Sequence, residues 1–174
     1  MDSTDAGLRA EIQLLAAERE IRSVLARYCR GIDRMDAELV RSVYHPDAHD
    51  DHIVFSGDVD AFVEWTMGEA LPSYTWSMHQ LGTCVIEVVG DVAHAETYAV
   101  CHHGLPESAG ANRMYTIAVR YVDRFETRDG GPWLIADRVV VPEWRSVDSI
   151  EAPRPAAPGA VRGRRDRQDV AYRR

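Results

Sequence analysis

Apolar residues recur along the first part of the chain with the period of a helix. Leu14, Ile21, Leu25, Tyr28 and Ile32 follow one another at spacings of seven, four, three and four, with Arg and Glu between them. That pattern predicts a long amphipathic helix over residues 9–31. Gly31 offers a stop. Residues Asp36 to Tyr44 (DAELVRSVY) read as a short second helix with Asp36 at its N-cap, and His45-Pro46-Asp47 breaks it. Residues 48–55 read as a strand. Ser56-Gly57-Asp58 then turns into a third helix, Asp58 to about Ala70, which carries Phe62, Val63, Trp65 and Met67.

The period then changes from helical to alternating. Trp76 to Val89 and Val92 to His103 predict two strands joined at Gly90-Asp91. Over residues 113–127, Tyr115, Ile117, Val119, Tyr121 and Phe125 fall on one face, with Thr116, Arg120 and Arg124 on the other. Arg128-Asp129-Gly130-Gly131 predicts a second hairpin turn, and Trp133 to Trp144 the last strand. Three helices and a short early strand followed by four long consecutive strands make an α+β pattern. We expect a cone-shaped, curved mixed β-sheet packed on three N-terminal helices and enclosing a pocket. Residues 1–151 read as one domain. Residues 152–174, dominated by Pro, Ala, Gly and Arg, read as a basic tail without a core of its own.

Charge sharpens this division. The net charge is −8, yet the tail holds seven Arg and two Asp, about +5, so the body stands near −13. An acidic body argues against nucleic acid as a partner. The tail is therefore expected either to lie on the acidic body of its own or a neighbouring subunit, anchored by Tyr172 and covering the cavity mouth, or to stand free in solvent. The chain has no lysine, which removes Schiff-base chemistry, a lysine base and a phosphate-binding P-loop. Cys29, Cys84 and Cys101 form no C-x-x-C pair and fit a reduced compartment. With no apolar signal core near Met1 and no run long enough to span a bilayer, a cytoplasmic location and no membrane contact are expected.

Four polar residues stand in segments that otherwise read as core: Tyr28, Asp33, His79 and Arg138. Arg138 shares strand parity with Leu134, Ala136 and Val140. A guanidinium on an apolar face needs an anionic or hydrogen-bonding partner, either a ligand or a structural carboxylate. His79 lies in line with Leu81, Thr83 and Val85, as a core histidine or as a reactive one. Asp33 either caps a turn or orients another group. Tyr28 and Asp33, five residues apart, would stand roughly 140° apart on a continuous helix, so their convergence needs the helix to end near Gly31. Gathered in one pocket, the four groups could take a proton, return it and hold the anion formed in between. The run His45, His49, Asp50, Asp51, His52 matches no standard metal-ligand spacing, so no metal is expected. On a strand, Asp50 and His52 share one face. His102 and His103 point opposite ways, so at most one reaches a cavity. Tyr44, His52, Trp65 and His102 are the candidates for substrate binding.

The segments RYCRGIDRMDAELVRSVYHPDAHDDH, HQLGT and YVDRFETRDGGPWLIADRVV, in this order of elements, resemble the polyketide-cyclase-like (SnoaL-like) branch of the nuclear transport factor-2-like superfamily. The resemblance covers about residues 9–145. Within that superfamily the pattern is similar to scytalone dehydratase, the bile-acid 7α-dehydratases and hexachlorocyclohexane dehydrochlorinase, which use a His–Asp dyad without metal or organic cofactor. Carried over by motif, Asp33 and His79 are the dyad, Arg138 is the arginine five residues after the strand tryptophan Trp133, and Tyr28 matches the tyrosine of the bile-acid enzymes. The dehydrochlorinase has Lys at that place, and this chain departs from it.

The resemblance implies a cofactor-independent lyase, cyclase or isomerase acting on a polycyclic or aromatic molecule, assembled as a homodimer or homotrimer. Two other readings stay open because the fold does not dictate chemistry. One is a non-catalytic binding module for a hydrophobic ligand; the other is a structural subunit of a larger enzyme complex. A gap between His79 and Asp33 would favour the binding module, and a sealed cone mouth with a broad apolar outer face the structural role.

Overall fold

A computed structural model describes residues 3–151 and 157–173; of the tail, residues 152–156 and Arg174 lie outside the described residues. Helix α1 runs Ser3–Asp33, longer at both ends than its apolar pattern predicts. Its first turns stand clear of the body, and from Ala17 onward it buries Ile21, Val24, Leu25, Tyr28, Cys29 and Ile32. Gly31 does not end it. A Cβ there would lie 2.6 Å from Val40 Cγ2, so the missing side chain lets helix α2 (Ala37–Arg41) pack against α1. Asp36 caps α2 as expected, accepting from the Leu39 amide at 3.1 Å.

Strand β1 spans Tyr44–His52, and β2 spans Phe55–Asp58. Two expectations change here. Tyr44 opens a strand instead of closing a helix, and Ser56-Gly57-Asp58 belongs to β2. The reversal sits at Ile53, whose φ is +63°, and Val54. Pro46 is tolerated because β1 shifts register between Tyr44 and His49. Helix α3 (Val59–Trp65) starts on the Asp58 cap and runs on through a π-turn (Thr66–Ala70) and a 3-10 turn (Leu71–Ser73).

Four long strands follow: β3 (Trp76–Val89), β4 (Val92–Gly104), β5 (Arg113–Glu126) and β6 (Leu134–Ser149). They pair in sequence as antiparallel neighbours, and β1 joins β6 in parallel, giving the order β2-β1-β6-β5-β4-β3. Strand β6 runs five residues past its expected end at Trp144. The mixed six-stranded sheet curves around α1, with the helices on its concave face, as the alternating pattern implies. Trp133, Ile135, Tyr121, Phe125 and the buried face of α1 form the core between them.

The described part of the tail packs on its own body. Tyr172 donates its hydroxyl to Asp36 at 2.9 Å, and the Arg30 guanidinium lies 4.3 Å from the Tyr172 ring centre. Arg167 reaches Asp36 and Glu38, while Arg165 donates to the Tyr74 carbonyl at 2.5 Å and the Leu71 carbonyl at 3.2 Å. These contacts join the tail to the end of α1, the α2 cap and the turn after α3.

Candidate active site

One cavity of about 710 Å³ opens between the concave face of the sheet and the helices. Its wall is mostly apolar and aromatic: Ile32, Phe62, Trp65, Leu71, Tyr74, Tyr115, Ile117 and Tyr121 contribute. Tyr28, His52, His79, Cys101 and His103 supply polar atoms.

Asp33 and His79 meet. The imidazole Nδ1 lies 2.7 Å from Asp33 Oδ1, and the His79 backbone N–H donates to Asp33 Oδ2 at 3.0 Å. Both side chains are largely buried, with relative exposures of 7% for His79 and 13% for Asp33. The carboxylate thus spends one oxygen on the ring and the other on the backbone of the same residue. This fixes the ring at the cavity wall, with the Cys101 side chain also beside it. Burial disfavours charge on the ring, but Cys101 and the Asp33 carboxylate outweigh it and push the His79 pKa up to about 10. The helix runs on past Gly31, and Tyr28 and Asp33 accordingly do not line the same cavity. Tyr28 lines the large cavity, whereas Asp33 lines a smaller crevice of about 350 Å³, and His79 borders both. Ala171 of the tail lines that crevice beside the dyad, and Arg165 reaches the backbone of Leu71 and Tyr74, two residues of the large cavity's wall.

Arg138 corrects an expectation. Its strand parity does turn it inward, and it is fully buried, but it does not line the cavity. It donates from Nε and Nη2 to the two oxygens of Asp123 at 2.7 and 2.8 Å. Its guanidinium carbon sits 4.2 Å from the Tyr28 ring centre and 4.4 Å from that of Tyr121. Burial pushes the Asp123 carboxyl up against the pull of Arg138, yet the bidentate geometry is that of a carboxylate facing a guanidinium. The needed anion is therefore a structural carboxylate, and Arg138 lies behind Tyr28 instead of facing a ligand.

Tyr44 is also set back from the cavity. It is buried, donating to Asp50 Oδ2 at 2.6 Å with Arg138 Nη1 at 3.5 Å from its oxygen. His52 and Trp65 do line the cavity, and His52 Nδ1 lies 3.1 Å from Asp50 Oδ1. His102 does not reach it. Strand alternation turns His102 outward to Thr116, at 3.1 Å, and brings His103 inward instead. His103 is held by Ser77 at 3.0 Å and stacks on Tyr74, 4.4 Å between ring centres, with the Tyr115 ring 6.0 Å away. Burial, then the neighbouring His79 and Arg165, lower its pKa to about 3, so its ring is neutral. The signal for His103 was the pairing itself: His79 opposes Cys101 across β3–β4, so residue 103 shares their face. His45 and His49 are engaged elsewhere, with the Glu126 carbonyl and Ser56. Among the described residues no three His, Cys, Asp or Glu side chains converge to hold a metal ion. No described helix is long and apolar enough to cross a membrane.

A family profile described as a SnoaL-like domain matches residues 13–139. Solved structures share the fold. A hexachlorocyclohexane dehydrochlorinase of type 3 from Novosphingobium barchaimii aligns with a TM-score of 0.73 at 17% identity, over 82% of this chain and 99% of its own. A putative scytalone dehydratase from Novosphingobium aromaticivorans aligns with a TM-score of 0.67 at 17% identity, over 81% and 93%. An NTF2-like protein with a cystatin-like fold from the same species aligns with a TM-score of 0.61 at 27% identity, over 80% and 88%. No curated protein matches the chain.

The buried pair behind Tyr28 makes a stability prediction. Asp123→Asn leaves the Arg138 charge uncompensated and should cost about 3–5 kcal/mol in urea unfolding. The double change Arg138→Met with Asp123→Leu should recover most of that. A loss below about 1 kcal/mol for Asp123→Asn would contradict the assignment of Arg138 to a structural pair.

Proposed function

The chain belongs to the SnoaL-like domain family, and we propose that it is a cofactor-independent lyase acting on an aromatic or polycyclic small molecule. The observation that carries this reading is the 2.7 Å contact between Asp33 and His79 at the wall of a large, mostly apolar cavity. An oriented imidazole beside a carboxylate is suited to proton abstraction, and an apolar cavity to a ring system.

In this reading His79 Nε2, in its neutral form, removes a proton from the carbon next to a carbonyl. Asp33 holds the Nδ1–H and balances the imidazolium formed. The Tyr28 phenol, in the cavity wall, donates to the developing enolate oxygen. Burial holds the Tyr28 phenol well above its ordinary pKa, against the pull of Arg138, so it stays a donor. The Arg138 cation behind its ring polarises the O–H and strengthens it as a donor. A β-hydroxyl then leaves as water: the α C–H and β C–O bonds break, a C=C forms, and the departing oxygen takes the proton from the His79 imidazolium, which returns the base to its neutral form. A ring-closing aldol or an isomerisation would draw on the same groups.

We also propose that copies of the chain assemble as a homodimer or homotrimer through the convex face of the sheet. Met78, Tyr98 and Val122 stand exposed on β3, β4 and β5 of that face, and exposed apolar side chains of this size suit an interface. Tyr98→Asp should lower the mass measured by light scattering to that of a monomer. A wild type that is monomeric at every concentration would contradict this assembly.

The chemistry is tested with two probes. In D₂O the protein should exchange the α-protons of 4-phenylbutan-2-one, and it should convert 4-hydroxy-4-phenylbutan-2-one to the enone and water. His79→Gln and Asp33→Asn should each lower both rates by about 10²–10⁴-fold with the fold intact. Because the His79 pKa is raised and the base must be neutral, the rate should climb as pH rises above 6.5 toward about 10. Wild-type protein that performs neither reaction, or a His79→Gln variant as fast as wild type, contradicts the lyase reading.

A further inference from the structure

A second His–Asp pair faces the same cavity. His52 Nδ1 lies 3.1 Å from Asp50 Oδ1, and the Asp50 side chain has no exposed surface. The donors and acceptors behind it allow one arrangement. Arg138 has only donors, and two of its nitrogens are spent on Asp123. Its third, Nη1, points at the Tyr44 oxygen from 3.5 Å, so the Tyr44 proton goes the other way, to Asp50 Oδ2 at 2.6 Å. A carboxylate has only acceptors. The remaining Asp50 oxygen therefore takes the proton on His52 Nδ1, which leaves Nε2 as the ring nitrogen free to accept. The direction of this relay is set by a guanidinium that cannot lose its proton.

The other surroundings of His52 are aromatic. Phe62 lies 5.2 Å and Trp65 6.2 Å away between ring centres, and Phe55 stacks on Trp65 at 5.1 Å. His52 comes from β1 and His79 from β3, with β6, β5 and β4 between them in the sheet. Four strand steps of about 4.8 Å separate the two along the sheet, and its curvature brings both to one cavity. A ligand touching both bridges that cavity.

We propose that the Asp50–His52 pair is a hydroxyl-recognition station, in which His52 Nε2 accepts a hydrogen bond from a ring hydroxyl at the end of the ligand remote from His79. The ligand class is then an aromatic or polycyclic molecule with a carbonyl at one end and a hydroxyl at the other. In the lyase reading the carbonyl end lies beside His79 and Tyr28, and His52 presents an acceptor to the other end. The flat Phe55–Trp65 stack suits an aromatic ring beside that hydroxyl. This inference rests on reading the cavity as the ligand site, but on no step of the chemistry.

The test is calorimetric binding of matched pairs differing by one hydroxyl: 2-naphthol and naphthalene, and estrone and 3-deoxyestrone. Wild-type protein should prefer the hydroxylated member by about tenfold in at least one pair, the size of one good hydrogen bond. His52→Phe keeps the aromatic contact and removes the acceptor; it should bring that ratio to about one while leaving the affinity for the deoxy member unchanged. Asp50→Asn, which removes the orienting carboxylate, should shrink the ratio as well. No hydroxyl preference in any pair, or no binding of any probe, overturns the proposal. So does a His52→Phe variant that keeps the preference or weakens both members equally. Loss of α-proton exchange alongside an intact hydroxyl preference would sink the lyase reading alone.

Discussion

The Asp33 carboxylate is the point on which the cone and its chemistry both close. It stands at the last residue of α1 and binds the edge strand β3 twice, through the backbone N–H and the ring of His79. An edge strand leaves N–H groups unpaired, and a carboxylate takes one of them with a charge-assisted bond. The same contact fixes the imidazole at the cavity wall. Helix length, strand register and ring orientation are therefore linked. Moving Asp33 by one residue would turn its side chain about 100° around the helix and undo all three.

A second constraint lies deeper. Arg138 is fully buried between three tyrosine rings and pairs with Asp123 through both carboxylate oxygens. Taking a guanidinium out of water is costly unless every donor has a partner. The chain meets that demand with Asp123, Tyr44 and the faces of Tyr28 and Tyr121. The consequence reaches the cavity without Arg138 entering it. The charge lies behind the Tyr28 phenol on one side, and on the other it sets the direction of the hydrogen bonds through Tyr44 and Asp50 to His52. Local burial of a charge is thus tied to the polarity of groups that face a ligand.

The fold was largely legible because its elements are long and strongly patterned. The alternation over residues 113–127 and the helical stripe through Tyr28 admit one reading each. The region from Tyr44 to Asp58 was harder. Its strand is interrupted by Pro46 and a register shift, and its turn uses a positive φ at Ile53, a residue that rarely adopts one. Asp33 and His79 were legible as a pair from the resemblance of their motifs. His103 was not chosen over His102, because two adjacent histidines on a strand cannot be separated until the register of the neighbouring strand is known. The partner of Arg138 was equally hidden. Parity showed that the side chain turns inward, but Asp123 lies fifteen residues away on the paired strand, and only the pairing brings them face to face.

The central claim is that Asp33 holds His79 as a paired, cavity-facing imidazole, and a pH titration of ¹⁵N-histidine-labelled protein by NMR tests it most directly. With the pair in place the His79 ring stays protonated past its ordinary value of 6.5, its deprotonation moving up toward about 10. In Asp33→Asn the midpoint moves down by the share of the rise that the carboxylate supplies beside Cys101. A His79 ring that titrates near 6.5 in wild type and does not move in Asp33→Asn would contradict the account.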